Sequence, residues 1–238
     1  MSHTPTTTVI TGGTGALGSA VVADFLERGD TCHIPVRDEV ELKYFPFVGH
    51  ERVRITTGVD LTDEAAATKF YEAAAGSNGV WASVHIAGAF AYAPIESTSR
   101  QDFLAQMNIN ALTCFLCCRE AVKLMSKNPG GPGGRIVNVA ARPALEPRAG
   151  ANMVAYTAAK AAVAALTQAL AEEVVARGIL VNAVVPSLMD TPANRKSMPG
   201  ADYSRWAKVE DVARTIAFLA SPENTCTRGG LIPVYGGA

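Results

Sequence analysis

Seven short apolar runs rich in β-branched residues punctuate the chain: Thr8 to Thr11, Thr31 to Val36, Val53 to Thr57, Val80 to Ile86, Arg135 to Val139, Leu180 to Val185 and Leu231 to Val234. Apolarity this continuous, without the alternation of a half-exposed sheet, predicts strands buried on both faces, as in parallel sheets. Between most of them apolar positions recur at helical spacing, over Leu17 to Arg28, Asp63 to Ala75, Phe103 to Met125, Met153 to Arg177 and Val209 to Leu219. Strand and helix in alternation predict an α/β, doubly wound parallel sheet of seven strands, with handed crossovers placing helices on both faces. No linker or internal repeat divides the pattern, so a single domain over residues 1–238 is expected, with a short polar tail at residues 1–7. The Gly/Pro cluster Pro129 to Gly134 reads as a turn into a central strand. Arg142 to Gly150 and Ser187 to Ser204 are the longest irregular stretches, and long loops at strand ends are where a substrate site is expected.

Composition narrows the class. With 48% hydrophobic and 18% charged residues the chain reads as a soluble globular protein, and no uninterrupted apolar run approaches the roughly 20 residues needed to span a bilayer. Its formal charge of -1, with Lys and Arg scattered, argues against nucleic acid as a partner. The N-terminal residues lack the basic and apolar regions of a secretory signal, so a cytoplasmic location is expected. Five cysteines form no disulfide framework, and Cys114, Cys117 and Cys118 crowd one helix turn. Reduced thiols are expected, because three cysteines with no histidine or fourth cysteine nearby in sequence make a poor zinc set.

The first strand runs straight into Thr11-Gly12-Gly13-Thr14-Gly15-Ala16-Leu17-Gly18 and then a helix. Glycines there permit positive φ and close backbone approach to a pyrophosphate, while the helix start offers free N–H groups and a positive dipole end. The position of the loop predicts dinucleotide binding through Gly12, Thr14, Gly15, Ala16, Leu17 and Gly18, and so a Rossmann-type fold. At the end of the second strand, Ile34-Pro35-Val36-Arg37 carries no acid for the ribose hydroxyls of NAD(H). Arg37 suits a 2′-phosphate, which makes NADP(H) the expected cofactor over NAD(H), the bland alternative being a solvated arginine beside Asp38 and Glu39. Asp60 either sits near the adenine or caps the helix that follows Thr62.

Tyr156 and Lys160, four apart at the start of an alanine-rich helix, share a face. A phenol with a pKa near 10 is a poor proton donor or acceptor at neutral pH, and a nearby ammonium is expected to lower it. The tyrosine can then move the proton while a nicotinamide handles the hydride.

These features, in this order, resemble the short-chain dehydrogenase/reductase family over nearly the whole chain: the glycine loop, Ala87-Gly88 after the fourth strand, Asn110 before the fifth, Tyr156 and Lys160, Pro186 through Thr191, and Leu231 to Gly237. The resemblance implies an oxidoreductase that transfers hydride to or from a C=O or C=N carbon of a small organic substrate, with Tyr156 as general acid/base. It implies that Asn110 supports a water-mediated proton relay from Lys160, and that Tyr156 and Lys160 also contact the cofactor. Thr191 and the backbone near Pro186 and Leu188 would hold the carboxamide. Relatives pair through the two long helices, so a homodimer or homotetramer is expected.

The chain departs from the family where a serine normally follows the fifth strand, since Ala141 stands there, followed by Arg142. The expected Asn-Asn-Ala-Gly reads His85-Ile86-Ala87-Gly88, with His85 a packed or cofactor-adjacent residue rather than a base. Losing the serine removes one donor to a developing oxyanion, typically costing about a hundredfold or more in rate. Arg142 either replaces it, binds an acidic substrate or points to solvent. Phe90, Tyr92, Met153, Met189, Tyr203 and Trp206 are candidate pocket walls, or core. Asp190 to Pro199 through Trp206 resembles dihydropteridine reductases, making a pterin-type imine reductase one alternative; a dinucleotide-binding sensor with impaired catalysis is another.

Overall fold

The computed structural model describes residues 6–131 and 133–237. Its strands are β1 (Thr7–Thr11), β2 (Thr31–Val36), β3 (Val53–Thr57), β4 (Ala82–His85), β5 (Gly134–Val139), β6 (Ile179–Pro186), β7 (Met189–Asp190), β8 (Ala207–Lys208) and β9 (Leu231–Val234). The helices are α1 (Ala16–Glu27), α2 (Glu64–Ala75), α3 (Arg100–Gln106), α4 (Thr113–Met125), α5 (Arg142–Leu145), α6 (Val154–Val174), α7 (Pro192–Ser197) and α8 (Val209–Ala220). Seven strands form one parallel sheet in the order β3-β2-β1-β4-β5-β6-β9, whereas β7 and β8 pair separately in the loop after β6.

Alternation along each strand sends neighbouring side chains to opposite faces, which is why the apolar runs are unbroken. In β1, Val9 packs beneath α2, α4 and α6 while Ile10 packs beneath α1 and α8; in β5, Ile136 and Val137 divide in the same way. Phe25 and Ile216 anchor one layer and Tyr71 and Met125 the other, all fully buried. Each such apolar side chain contributes roughly 1.5–3 kcal/mol by leaving water.

Some boundaries differ from the sequence pattern. The helix expected from Phe103 to Met125 begins earlier, at Arg100, because Ser99 and Asp102 form a capping box, and a π-helical turn at Met107–Leu112 interrupts it. The irregular stretch after β2 holds a 3₁₀ turn, Glu39–Tyr44, capped by Asp38. Thr7 of the expected tail belongs to β1 and Thr6 N–H donates to Asp30 (2.8 Å), while residues 1–5 of that tail lie outside the described residues. Residues 154–177 are, among the described residues, the one helical stretch long and apolar enough to cross a bilayer. Here Lys160, Val163, Thr167 and Ala171 are buried against the sheet.

Strand order reverses between β1 and β4, so the connections leaving those two strands part in opposite directions and open a crevice at their C-terminal ends. The glycine loop, Arg37, Asp60, Ala87-Gly88, Ala141 and Leu188 all follow the C-terminal ends of strands, and therefore share one edge of the sheet.

Candidate active site

A cleft of about 660 Å³ lies at this edge. Of the residues expected to hold a dinucleotide, it is lined by Gly12, Thr14, Gly15, Ala16, Leu17, Gly18, Arg37, Asp60, Ala87, Gly88 and Thr191. The glycine loop is dictated by space. Gly12 has φ +67°, and a Cβ there would stand 2.7 Å from Ala87 N; a Cβ on Gly18 would overlap the Gly12 carbonyl. Gly15 begins α1 with no side-chain cap, so the helix presents its first N–H groups to the cleft, as an anionic pyrophosphate requires.

Asp60 does not cap α2, which Asp63 does by accepting from Ala66 N–H (2.8 Å). Its carboxylate instead accepts from the Thr62 hydroxyl (2.7 Å) and N–H (2.9 Å), and these bonds hold its pKa below the usual value. Glu41 also faces the cleft, accepting from Thr14 Oγ1 (3.4 Å) and Asp38 N–H (3.1 Å). The sequence reading missed Glu41, although Asp38-Glu39-Val40-Glu41 is a capping-box spacing that would have located it.

Tyr156 and Lys160 occupy the first turns of α6, with the ammonium 5.9 Å from the phenol ring centroid. Lys160 is buried and donates to the Val139 carbonyl at the end of β5 (2.8 Å). The expectation that the ammonium lowers the tyrosine pKa is reversed. Burial pushes the Tyr156 phenol up to about 12 and the Lys160 ammonium down to about 8, desolvation being the leading cause for both and Cys114 offsetting part of it at Lys160.

Asn110, in the π-helical turn, is buried; its Nδ2 donates to the Ala89 carbonyl (3.0 Å) and its Oδ1 accepts from Ala89 N–H (3.3 Å). A Cβ on Gly88 would lie 2.6 Å from Asn110 Oδ1 and 3.5 Å from Lys160 Nζ, so a glycine there lets the three residues converge. Pro186 ends β6 in the core, and the Leu188 carbonyl accepts from Ala207 N–H (3.1 Å). Thr191 lines the cleft and also caps α7 by accepting from Asn194 N–H (3.2 Å).

On the substrate side the candidates scatter. Phe90 meets the Tyr156 ring edge-on at 5.1 Å, and Met189 lines the cleft. Met153 is the residue before α6, and Tyr92 is held on its loop by Asn152 Nδ2 (3.0 Å). Ala141 is buried ahead of α5. Arg142, partly exposed, is paired with Glu146 (2.8 Å) and lies over the Tyr235 ring. Trp206 is buried against Tyr203 (4.7 Å), beneath the loop rather than in the cleft lining.

Comparison with known proteins agrees with this arrangement. The sequence profile of the family described as enoyl-(acyl carrier protein) reductase matches residues 14–238. The chain is 32% identical over 245 residues to cis-4-hydroxycyclohexanecarboxylate dehydrogenase of Sinomonas cyclohexanicum, covering 96% of this chain and 94% of that protein. It is 34% identical over 159 residues to an uncharacterized oxidoreductase, YgfF, of Escherichia coli K12, covering 62% of this chain. The chain spans 63%, 55% and 60% of the lengths of three such curated relatives. The crystal structure of ElxO with NADP bound superposes with a TM-score of 0.87 at 25% identity, covering 98% of each chain.

Proposed function

The chain belongs to the short-chain dehydrogenase/reductase family, and from that premise we propose that it is an NAD(P)(H)-dependent oxidoreductase acting on a C=O or C=N carbon of a small organic molecule. The observation that carries this reading is the approach of Asn110 and Lys160 to Gly88, a residue that lines the same cleft as the glycine loop, with the Tyr156 ring 5.9 Å from the Lys160 ammonium. The whole chain acts as one dinucleotide-binding domain.

A bound nicotinamide supplies or accepts the hydride. The chain's own groups do the rest. Free N–H groups at the start of α1 meet the pyrophosphate, and the Asp60 carboxylate lies toward the adenosine end. Arg37 selects NADP(H) by pairing with the 2′-phosphate, as supported by its place in the cleft and by the likeness to the NADP-bound ElxO structure. Thr191 and the Leu188 backbone orient the carboxamide. Tyr156 gives or takes the substrate proton. Lys160, anchored by Val139, replenishes it through a water-mediated relay that Asn110, held by the Ala89 backbone, supports. Phe90, lying against Tyr156, and Met189 favour an apolar substrate body next to the reacting carbon. The pterin and sensor readings draw no support from the relatives above.

Parallel screening of carbonyl and imine substrates with NADPH and NADH tests the proposal. Turnover that prefers NADPH and is lost in Tyr156→Phe is expected; full turnover in that variant would sink the mechanism. The molecular mass in solution tests the homodimer or homotetramer.

A further inference from the structure

Behind Lys160, on the face of the sheet covered by α4 and α6, lone-pair donors converge that the proposed reaction does not use. His85 ends β4 and Asn138 is its register partner on β5; Cys114 and Cys118 stand one turn apart on α4. All four are buried. The sequence showed three cysteines with no histidine nearby, and the fold brings one across. Ligand atoms of His85, Cys114 and Cys118 all lie within 4.8 Å of one another. Cys118 Sγ is 3.5 Å from His85 Nδ1 and 3.4 Å from Asn138 Oδ1, and those two atoms are 2.8 Å apart.

The orientations are fixed from outside. Thr167 spends its hydroxyl proton on the Val163 carbonyl (2.8 Å), so its oxygen accepts from Asn138 Nδ2 (2.9 Å), which turns Asn138 Oδ1 toward the histidine and the cysteines. On the far side, His85 Nε2 is 2.8 Å from Ser83 Oγ and 3.1 Å from Tyr71 OH, either of which can accept its proton. The 2.8 Å between His85 Nδ1 and Asn138 Oδ1 therefore holds either the Nδ1 proton or, with the proton on Nε2, a cation.

We propose that His85 Nδ1, Cys114 Sγ, Cys118 Sγ and Asn138 Oδ1 form a buried zinc(II) site. Nitrogen and sulfur donors suit zinc, and a hydrogen bond on the other imidazole nitrogen is the outer support that zinc-bound histidines usually have. Any proton that a thiol still carries passes to solvent as its Zn–S bond forms, so the two thiolates balance the ion's charge. Around tetrahedral zinc such donors stand about 3.3–3.8 Å apart, which the Cys118–His85 and Cys118–Asn138 contacts already match, while the 2.8 Å between His85 and Asn138 must open by about 0.5 Å. The widest separation closes by about 1 Å through rotation of a cysteine side chain. The ion would clamp α4, whose preceding turn carries Asn110, to β4 and β5. Nothing in this proposal depends on the reaction or its cofactor.

The test is metal titration of the full-length, chelator-treated protein with its thiols kept reduced. Cobalt(II) is expected to bind at one equivalent, with thiolate charge-transfer and tetrahedral visible bands, and to be displaced by one equivalent of zinc. Cys118→Ala and Cys114→Ala should lose the bands and weaken zinc binding by about 100-fold or more, while Cys226→Ala, at an exposed thiol, should change neither. A folded wild-type protein that gives no such bands and retains no zinc overturns the proposal without any variant, leaving the cluster held by protons alone. Bands that persist in both Cys114→Ala and Cys118→Ala overturn it equally, because the metal then sits elsewhere.

Discussion

The two halves of the cleft are built by different means. On the cofactor side, backbone meets backbone: the glycine loop touches Ala87 and itself so closely that no side chain fits at Gly12 or Gly18. On the substrate side, side chains engage one another: Arg142 with Glu146, Arg195 with Asp190 (2.6 Å), and Tyr203 with Trp206. Backbone contacts fix residue identity at each position, whereas exchangeable side-chain pairs leave many sequences that would serve. The first half is therefore specified by the dinucleotide, and the second is free to follow the substrate.

The largest effect is expected where the halves meet. Tyr156→Phe removes the proton carrier and leaves the edge-on Phe90 contact intact, so turnover should fall by about 10²–10⁴-fold with cofactor affinity nearly unchanged, as measured by single-turnover kinetics and cofactor titration. A parallel loss of cofactor affinity would show that the two halves are not separable at this residue.

Lys160→Met tests the electrostatic side of the same junction. Lys160 has a folded pKa of about 8 against an ordinary 10.5, so its charged form opposes folding below pH 8. The unfolded chain binds more protons between those values, and wild-type stability should rise with pH across that window. At pH 7 the variant is expected to be more stable than wild type by about 1–3 kcal/mol, the burial penalty less the lost bond to Val139, with the gap closing toward pH 10.5. Denaturant midpoints across that range check it, and a constant gap would contradict it.

Gly18→Ala strikes the backbone-built half. The added methyl meets Gly12 and Gly13 main-chain atoms that no rotamer change can move aside, so the loop itself must shift. A loss of about 1–3 kcal/mol, divided between thermal stability and cofactor binding, is expected from calorimetry and cofactor titration. Arg37→Ala should be milder and selective: about tenfold weaker NADPH, or 1.4 kcal/mol, with NADH within about twofold. Equal losses for both cofactors would make Arg37 a general anion contact.

What could be read in the sequence follows the same division. β2, β3 and β9 fall at their expected residues, but the double-faced burial behind an unbroken apolar run holds for β4, β5 and β6, whereas β3 and β9 are the half-buried edge strands, marked by their β-branched residues. Gly12 and Gly18 were legible because no other residue fits there. The π-helical turn that positions Asn110 left no periodic trace, and the capping box that holds Glu41 closes a short 3₁₀ turn with no helical apolar period behind it. Trp206 and Arg142 look like site residues by type; only their neighbours, Tyr203, Glu146 and Tyr235, show that they are already engaged. The histidine–cysteine cluster could not be read at all, since it depends on β4 lying beneath α4.

Ala141→Ser should have the smallest effect, and it bears most directly on the substrate half. Residue 141 precedes α5 with extended backbone, and the first turn offers a new hydroxyl little: Pro143 has no N–H, and Ala144 N–H already donates to the Ala141 carbonyl (2.8 Å). A serine there is not captured as a helix cap, so its hydroxyl remains available to the cleft. In a site that merely lost its oxyanion donor, restoring it should raise turnover by about a hundredfold. In a site shaped for a substrate that does not rely on that donor, turnover should change by less than about threefold, a difference under 1 kcal/mol in barrier height. The second result is expected, because Tyr156, Lys160 and Asn110 all remain in place beside a buried Ala141. A hundredfold gain would instead mean that the substrate half has decayed while the cofactor half was kept.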